Sequence, residues 1–166
     1  MKIKRYLDVI DPTAHKSIEM SIYRKPWTLG GQAKDSNYRF FGTDLDQNDK
    51  DFFLKALRPF IDEFITENNI TKKIILQRSH INCNPAYHPG DWHVDWPNGF
   101  TVLYFPVPEF DIGEGGGTEF EEHGYEPYIP NSLLIFPGYI KHRSCQHTNP
   151  GTFRFSIAFK FIIGDE

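Results

Sequence analysis

Phe153-Arg154-Phe155-Ser156-Ile157-Ala158-Phe159-Lys160-Phe161 alternates strictly between two kinds of side chain. An extended strand turns successive residues to opposite faces. Phe153, Phe155, Ile157, Phe159 and Phe161 therefore make one apolar face, which another layer must cover. Arg154, Ser156, Ala158 and Lys160 make the other. A guanidinium does not enter the space between two sheets unpaired, so this strand predicts an anionic group facing Arg154.

Upstream, residues 74–81, 101–105, 133–136 and 140–146 are further short β-type runs, separated by Gly, Pro and Asn. Such spacing belongs to a sandwich, a barrel or a jelly roll. The front of the chain is mixed. Ile18, Met20 and Ile22 alternate with Glu19, Ser21 and Tyr23, which reads as a half-buried strand. Lys25-Pro26 breaks it, Gly30-Gly31 reads as a loop, and residues 37–41 read as a short aromatic strand. The spacing of Phe53, Leu57, Phe60, Ile61 and Phe64 predicts a helix over 48–67. Asp46 or Asn48 can cap it, Asn68-Asn69 can end it, and Pro59 should kink or split it. This helix is the expected cover for the aromatic face of the last strand.

The composition fits one domain over residues 1–166, with N-terminal strands and helix in 1–72 and the β core in 73–166. Hydrophobic residues at 39% and aromatic residues at 16% exclude a disordered chain. A net charge of −4 weighs against a nucleic-acid binder. No apolar run approaches the roughly 20 residues that cross a bilayer. No apolar signal core follows Met1-Lys2-Ile3-Lys4-Arg5-Tyr6, and two cysteines cannot make a disulfide scaffold, so a cytoplasmic protein is expected.

Pro89-Gly90-Asp91-Trp92-His93-Val94-Asp95 contains a His-x-Asp pair. In an extended segment His93 and Asp95 share a face and can converge on one cation. Of the candidate third ligands, His88 precedes Pro89 in a turn. His147 sits among Thr148, Asn149, Pro150 and Gly151, which reads as an exposed turn. His142 falls in a run expected to face the interior and is the chosen ligand. Two histidines and one carboxylate leave three coordination positions open, the pattern of non-haem Fe(II) oxygen chemistry. Arg154, with Ser156 on the same face, then suits the far carboxylate of a dicarboxylate that chelates the metal.

The chain resembles the 2-oxoglutarate/Fe(II)-dependent oxygenases of the prolyl 4-hydroxylase-like branch over roughly residues 76–161. The resemblance rests on Asn84-x-x-Tyr87-x-x-Gly90-x-x-His93-x-Asp95, Gly115-Gly116-x-Thr118-x-Phe120, Pro130-x-x-Leu133-Leu134-x-Phe136, His142 and Gly151-x-x-Arg154. It implies a mainly β fold, a double-stranded β-helix (a cupin-like jelly roll) with N-terminal helices buttressing one sheet. It implies Fe(II) on His93, Asp95 and His142, and 2-oxoglutarate on Arg154 with Ser156 and Tyr104 as neutral donors. O2 is the other cosubstrate. It implies Tyr87 at the iron and substrate pocket, while Trp96, which flanks the His-x-Asp pair, reads either as core or rim packing or as a shield of that pocket. The implied substrate is a prolyl residue of a protein or peptide. Another amino-acid side chain, a small molecule, and a non-catalytic metal-binding jelly roll are the rival readings. The sequence departs from the pattern in lacking Pro-Val after the distal histidine and in having Phe159 or Phe161 where a Trp is common. His80 and His123 read as ordinary polar residues, and residues 111–117 as a flexible turn or a lid.

Overall fold

The chain begins with a strand, β1 (Lys4–Tyr6), and a helix, α1 (Pro12–Ile22). The computed structural model describes residues 1–31, 40–107, 109–111 and 113–164. The strand expected at Ile18–Met20–Ile22 is thus a helix. Asp11 accepts hydrogen bonds from the amides of Thr13 and Ala14, and Pro12 stands at the first helical position, where its missing N–H is harmless. The buried residues are Ile18 and Ile22, four apart, while Met20 between them is exposed. A three-residue alternation fits both periods, and the cap decides between them.

The next strands are β2 (Thr28–Gly31) and β3 (Phe40–Asp44). The loop expected at Gly30-Gly31 is instead part of an edge strand. Of the strand expected over 37–41, residues 37–39 lie outside the described residues and Phe40 and Phe41 fall in β3. The long helix α2 runs unbroken from Gln47 to Glu67, capped by the Asp46 side chain on the Asp49 amide. Pro59 does not split it. The residue is on the solvent face, where water can satisfy the carbonyl that Pro59 leaves without a donor. Phe53, Leu57, Ile61 and Phe64 form the buried face.

Seven strands complete the molecule: β4 (Lys73–Pro85), β5 (Gly99–Phe105), β6 (Thr118–Phe120), β7 (Gly124–Glu126), β8 (Ser132–Pro137), β9 (His142–Ser144) and β10 (Phe153–Gly164). Together with β1, β2 and β3 they build an antiparallel seven-stranded sheet, β1-β8-β5-β10-β4-β3-β2, and a three-stranded sheet, β7-β6-β9. This is the expected jelly roll. The alternation of β10 decides its two faces. Phe155, Ile157, Phe159 and Phe161 join Phe53, Leu57, Ile61 and Phe64 of α2 in the larger core. Phe153, at the strand's end, is exposed. On the other face Ala158 joins Leu103, Phe120 and Phe136 in a core between the two sheets. Cys83 and Cys145 are both free thiols, and no helix of the described residues is long and apolar enough to cross a membrane.

Candidate active site

His93 and Asp95 lie on the segment between β4 and β5, and the backbone of that segment is held like a strand. The His93 amide donates to the His142 carbonyl at 3.0 Å and the His142 amide returns the bond at 2.9 Å. Asp95 N donates to Gly138 O at 2.9 Å. Gly138 permits this approach, because a Cβ there would lie 2.2 Å from the Trp96 carbonyl oxygen. The pairing sets His93 directly across from His142 and brings the two histidines and Asp95 together, their ligand atoms all within 4.8 Å of one another.

Both imidazoles are fixed in the tautomer a metal requires. His93 Nδ1 lies 2.9 Å from Asp91 O, and His142 Nδ1 lies 2.9 Å from Ile140 O. A carbonyl can only accept, so each Nδ1 carries the proton and each Nε2 presents a lone pair. Each Nε2 stands 3.7 Å from an Asp95 oxygen. Burial, first of all, lowers the His142 imidazole to about 4, so it is neutral at pH 7. Burial pushes the Asp95 carboxyl up, but the Lys160 ammonium, His142 and the hydrogen bonds from Lys160 and Thr101 outweigh it and leave the group below its ordinary value. The site therefore offers two imidazole nitrogens, that of His142 held neutral, and one ionised carboxylate. This hard, mixed N/O set fits Fe(II).

Lys160 is the residue that sequence reasoning missed. Its ammonium pairs with Asp95 Oδ1, while the Thr101 hydroxyl donates to Oδ2 at 2.5 Å. The signal was present, since Lys160 shares the polar face of β10 with Arg154 and Ser156.

Arg154 is 2% exposed and lines the same cavity as the triad, a space of about 740 Å³. Its guanidinium donates to Gly116 O, to Gly117 O at 3.4 Å, to Thr118 Oγ1 at 3.3 Å and to Ser156 Oγ at 3.3 Å. It lies 5.7 Å from the ring centroids of both Phe105 and Tyr128. Among the described residues no carboxylate meets it, so the anion expected opposite Arg154 is not supplied by the protein there. The glycines of the 115–117 turn form a cradle for this side chain. Gly116 N donates to Gln146 O and Cys145 N to Gly117 O, both at 2.9 Å. A Cβ on Gly117 would come within 2.3 Å of Glu126 O. These bonds anchor the turn and give it a structural task apart from any lid.

Three expectations are corrected. Tyr104 points away from the cavity. On β5 Thr101 and Leu103 face inward, so the alternation turns Tyr104 toward the helices, where its hydroxyl meets His15 Nδ1 at 2.8 Å. Thr118 stands beside Arg154 as a hydroxyl in the place expected for Tyr104. Tyr87 is exposed and donates to Thr148 O at 2.9 Å, outside the cavity lining. His147 is fully buried, not exposed. It rests 4.8 Å from the Phe110 ring with Nε2 3.2 Å from Asn84 O, and the turn after it, not the residue, faces solvent. His142 and not His147 joins the triad. Trp96 lines the cavity at its rim, half exposed. His80, expected to be an ordinary polar residue, is buried in the cavity wall.

No protein-family model and no curated protein matches the chain by sequence. Solved structures match its fold throughout. A prolyl-4-hydroxylase from Pseudomonas putida superposes with a TM-score of 0.76 at 11% identity, over 98% of this chain and 92% of its own. A viral collagen prolyl hydroxylase from Paramecium Bursaria Chlorella virus-1, solved as a 2-oxoglutarate complex, gives 0.73 at 10% identity over 99% and 97%. An oxidoreductase of the 2OG-Fe(II) oxygenase family from Burkholderia pseudomallei gives 0.74 at 13% identity over 99% and 88%. The chain has the fold of the 2-oxoglutarate/Fe(II) oxygenases, and within them of the prolyl 4-hydroxylase-like branch.

Proposed function

We propose that this chain is a cytoplasmic, single-domain Fe(II)- and 2-oxoglutarate-dependent dioxygenase that hydroxylates a prolyl residue of a protein or peptide. One observation carries the reading: a two-histidine, one-carboxylate set and a buried arginine that no carboxylate of the described residues meets line one cavity. A structural metal site has no use for that arginine, whereas a chelating dicarboxylate needs a cation at its far end.

His93 Nε2, His142 Nε2 and the Asp95 carboxylate would hold Fe(II), which supplies O2 activation coupled to oxidative decarboxylation of 2-oxoglutarate to succinate and CO2. The protein's part is geometry and dryness. Arg154 would take the far carboxylate, assisted by Ser156 and Thr118. Each hydroxyl accepts from the guanidinium and keeps its own O–H to donate to the ligand. Thr101 and Lys160 hold both Asp95 oxygens in place. Leu103, Phe136 and Ala158 give the cavity an apolar wall that limits water near the reacting atoms. Trp96 forms a rim against which a prolyl ring can pack. The prolyl substrate is supported by the branch-level likeness of fold.

The test is incubation with Fe(II), 2-oxoglutarate, air and proline-containing peptides, followed by mass spectrometry and succinate assay. A one-oxygen mass gain on proline, matched by succinate, is expected. Robust oxidation of another residue type with none on proline refutes the prolyl assignment. Neither succinate nor oxidised product, with metal bound, refutes the dioxygenase reading.

A further inference from the structure

The cavity floor can be mapped from strand register. Arg154, Ser156, Ala158 and Lys160 of β10 stand directly opposite Asn84, Asn82, His80 and Arg78 of β4. Directly opposed residues share a face, and all eight line the cavity. The floor thus has two ends. One is the Arg154 end. The other carries Lys160 and, one strand farther out, Arg78. Two cations directly opposite across a pair of strands repel unless each finds an anion. Lys160 has Asp95. Arg78 is exposed at the cavity wall and has no hydrogen-bond or ion-pair partner among the described residues.

His80 lies beside it on the same face. The side chain is buried, and Nδ1 has no partner. Burial, then the charges of Lys160 and Arg78, lowers its imidazole to about 3. The ring is therefore neutral and sits in a positive field, with one N–H to donate. Asp44, the Cα partner of His80 on β3, is exposed and makes no ion pair with Arg78. Asp44 itself lines the cavity, and besides Asp44 and Asp95 the remaining carboxylate on the lining is Asp91, on the His93 segment. Among the described residues, the β4 wing of the cavity is left with a guanidinium that no carboxylate pairs and a neutral, buried imidazole.

We propose that this wing is a substrate subsite for a carboxylate, with Arg78 as its cationic anchor and His80 as a neutral donor, so that the enzyme selects peptides with an acidic residue near the modified one. The inference rests on the peptide-oxygenase reading above. Adjacent strands lie about 4.8 Å apart, and Arg78 is one strand beyond the lysine that holds Asp95. With side-chain reach, that puts the guanidinium on the order of 8–10 Å from the metal ligands. An extended peptide advances about 3.3 Å per residue, so the Asp or Glu falls about two or three residues from the reacting residue.

The experiment recovers peptides bound by the intact protein, loaded with redox-inert Mn(II) and 2-oxoglutarate, from a fully degenerate peptide pool. Wild type is compared with Arg78→Gln and Arg78→Glu, and retained 2-oxoglutarate affinity shows that each variant is folded with its cosubstrate pocket intact. Wild type is expected to enrich Asp or Glu at one fixed offset from an anchor residue. Arg78→Gln should bind the selected peptides about fivefold more weakly, the scale of a partly exposed ion pair, and Arg78→Glu should exchange the acidic preference for Lys or Arg. A wild-type pool without acidic enrichment, an empty one included, overturns the subsite, and so does the same enrichment in Arg78→Glu. The anchor residue judges the prolyl reading separately. Acidic enrichment that follows Arg78 around an anchor other than proline upholds the subsite and refutes prolyl specificity.

Discussion

Replacing Arg154 with Met removes the one fully buried cation among the described residues while keeping most of its volume. The structure says what is lost. A guanidinium has five N–H donors, and four bonds tie Arg154 to Gly116 O, Gly117 O, Thr118 and Ser156. One NH1 donor and the two hydroxyls remain for a ligand carboxylate. Removing one partner of a buried, hydrogen-bonded ion pair costs about 3–5 kcal/mol. At about 1.4 kcal/mol per decade, 2-oxoglutarate affinity should fall by about two to three and a half decades. Arg154→Lys should fall between, because an ammonium keeps the charge and loses the fork. Mn(II) affinity should hardly change, since Arg154 is not a ligand. The assay is calorimetric titration of 2-oxoglutarate into the Mn(II) protein, with a separate metal titration. Arg154→Met that binds 2-oxoglutarate as tightly as wild type refutes the assignment of this pocket.

His142→Ala should abolish Mn(II) binding, whereas His147→Ala should keep it and lower unfolding stability by about 1–3 kcal/mol, the cost of emptying a buried polar site; metal titration and urea unfolding separate the two. Lys160→Met leaves a side chain that is only 2% exposed, the Asp95 carboxylate, without its ammonium. The metal-free protein should lose about 3 kcal/mol, the lower end of the cost of unpairing a buried charge because Lys160 is partly exposed, and Mn(II) should stabilise the variant more than wild type in thermal melts. Acid should weaken the metal-free fold. His142 and His80 are lowered to about 4 and about 3 from an ordinary 6.5, so between those values and 6.5 the unfolded chain binds the extra protons. The stability is complete above pH 6.5 and is lost as pH falls through that window. With about 1.4 kcal/mol per pH unit for each proton, urea unfolding should show a loss of roughly 2–3 kcal/mol from pH 6 to pH 5. A flat profile contradicts the burial of both rings.

Much of this site is legible in the sequence, because strand alternation is a strict period. Once β10 is read as extended, Arg154, Ser156 and Lys160 must share a face. The same rule applied to β5 would have turned Tyr104 outward, since Thr101 and Leu103 face the cavity; the family resemblance put it inside and alternation corrects it. His147 was misplaced because the Asn149-Pro150-Gly151 turn describes its neighbours, whereas burial of His147 depends on Phe110, remote in sequence. Ile18–Ile22 is a helix and not the expected strand because three alternating residues fit both period 2 and spacing 4, and the Asp11-Pro12 cap selects the helix. The Arg78–Lys160 pair needs the register of β4 on β10, which no local pattern specifies.

In the proposed centre His93, Asp95 and His142 hold an Fe(II) to which 2-oxoglutarate chelates while Arg154 holds its far end. Anaerobic addition of Fe(II) and 2-oxoglutarate tests it in one spectrum, through the visible metal-to-ligand charge-transfer band that only a chelated keto acid on Fe(II) produces. The band should appear at one Fe(II) per chain, vanish in His142→Ala, persist in His147→Ala, and require far more 2-oxoglutarate in Arg154→Met. A band that survives in His142→Ala, or none in wild type with Fe(II) bound, contradicts the account.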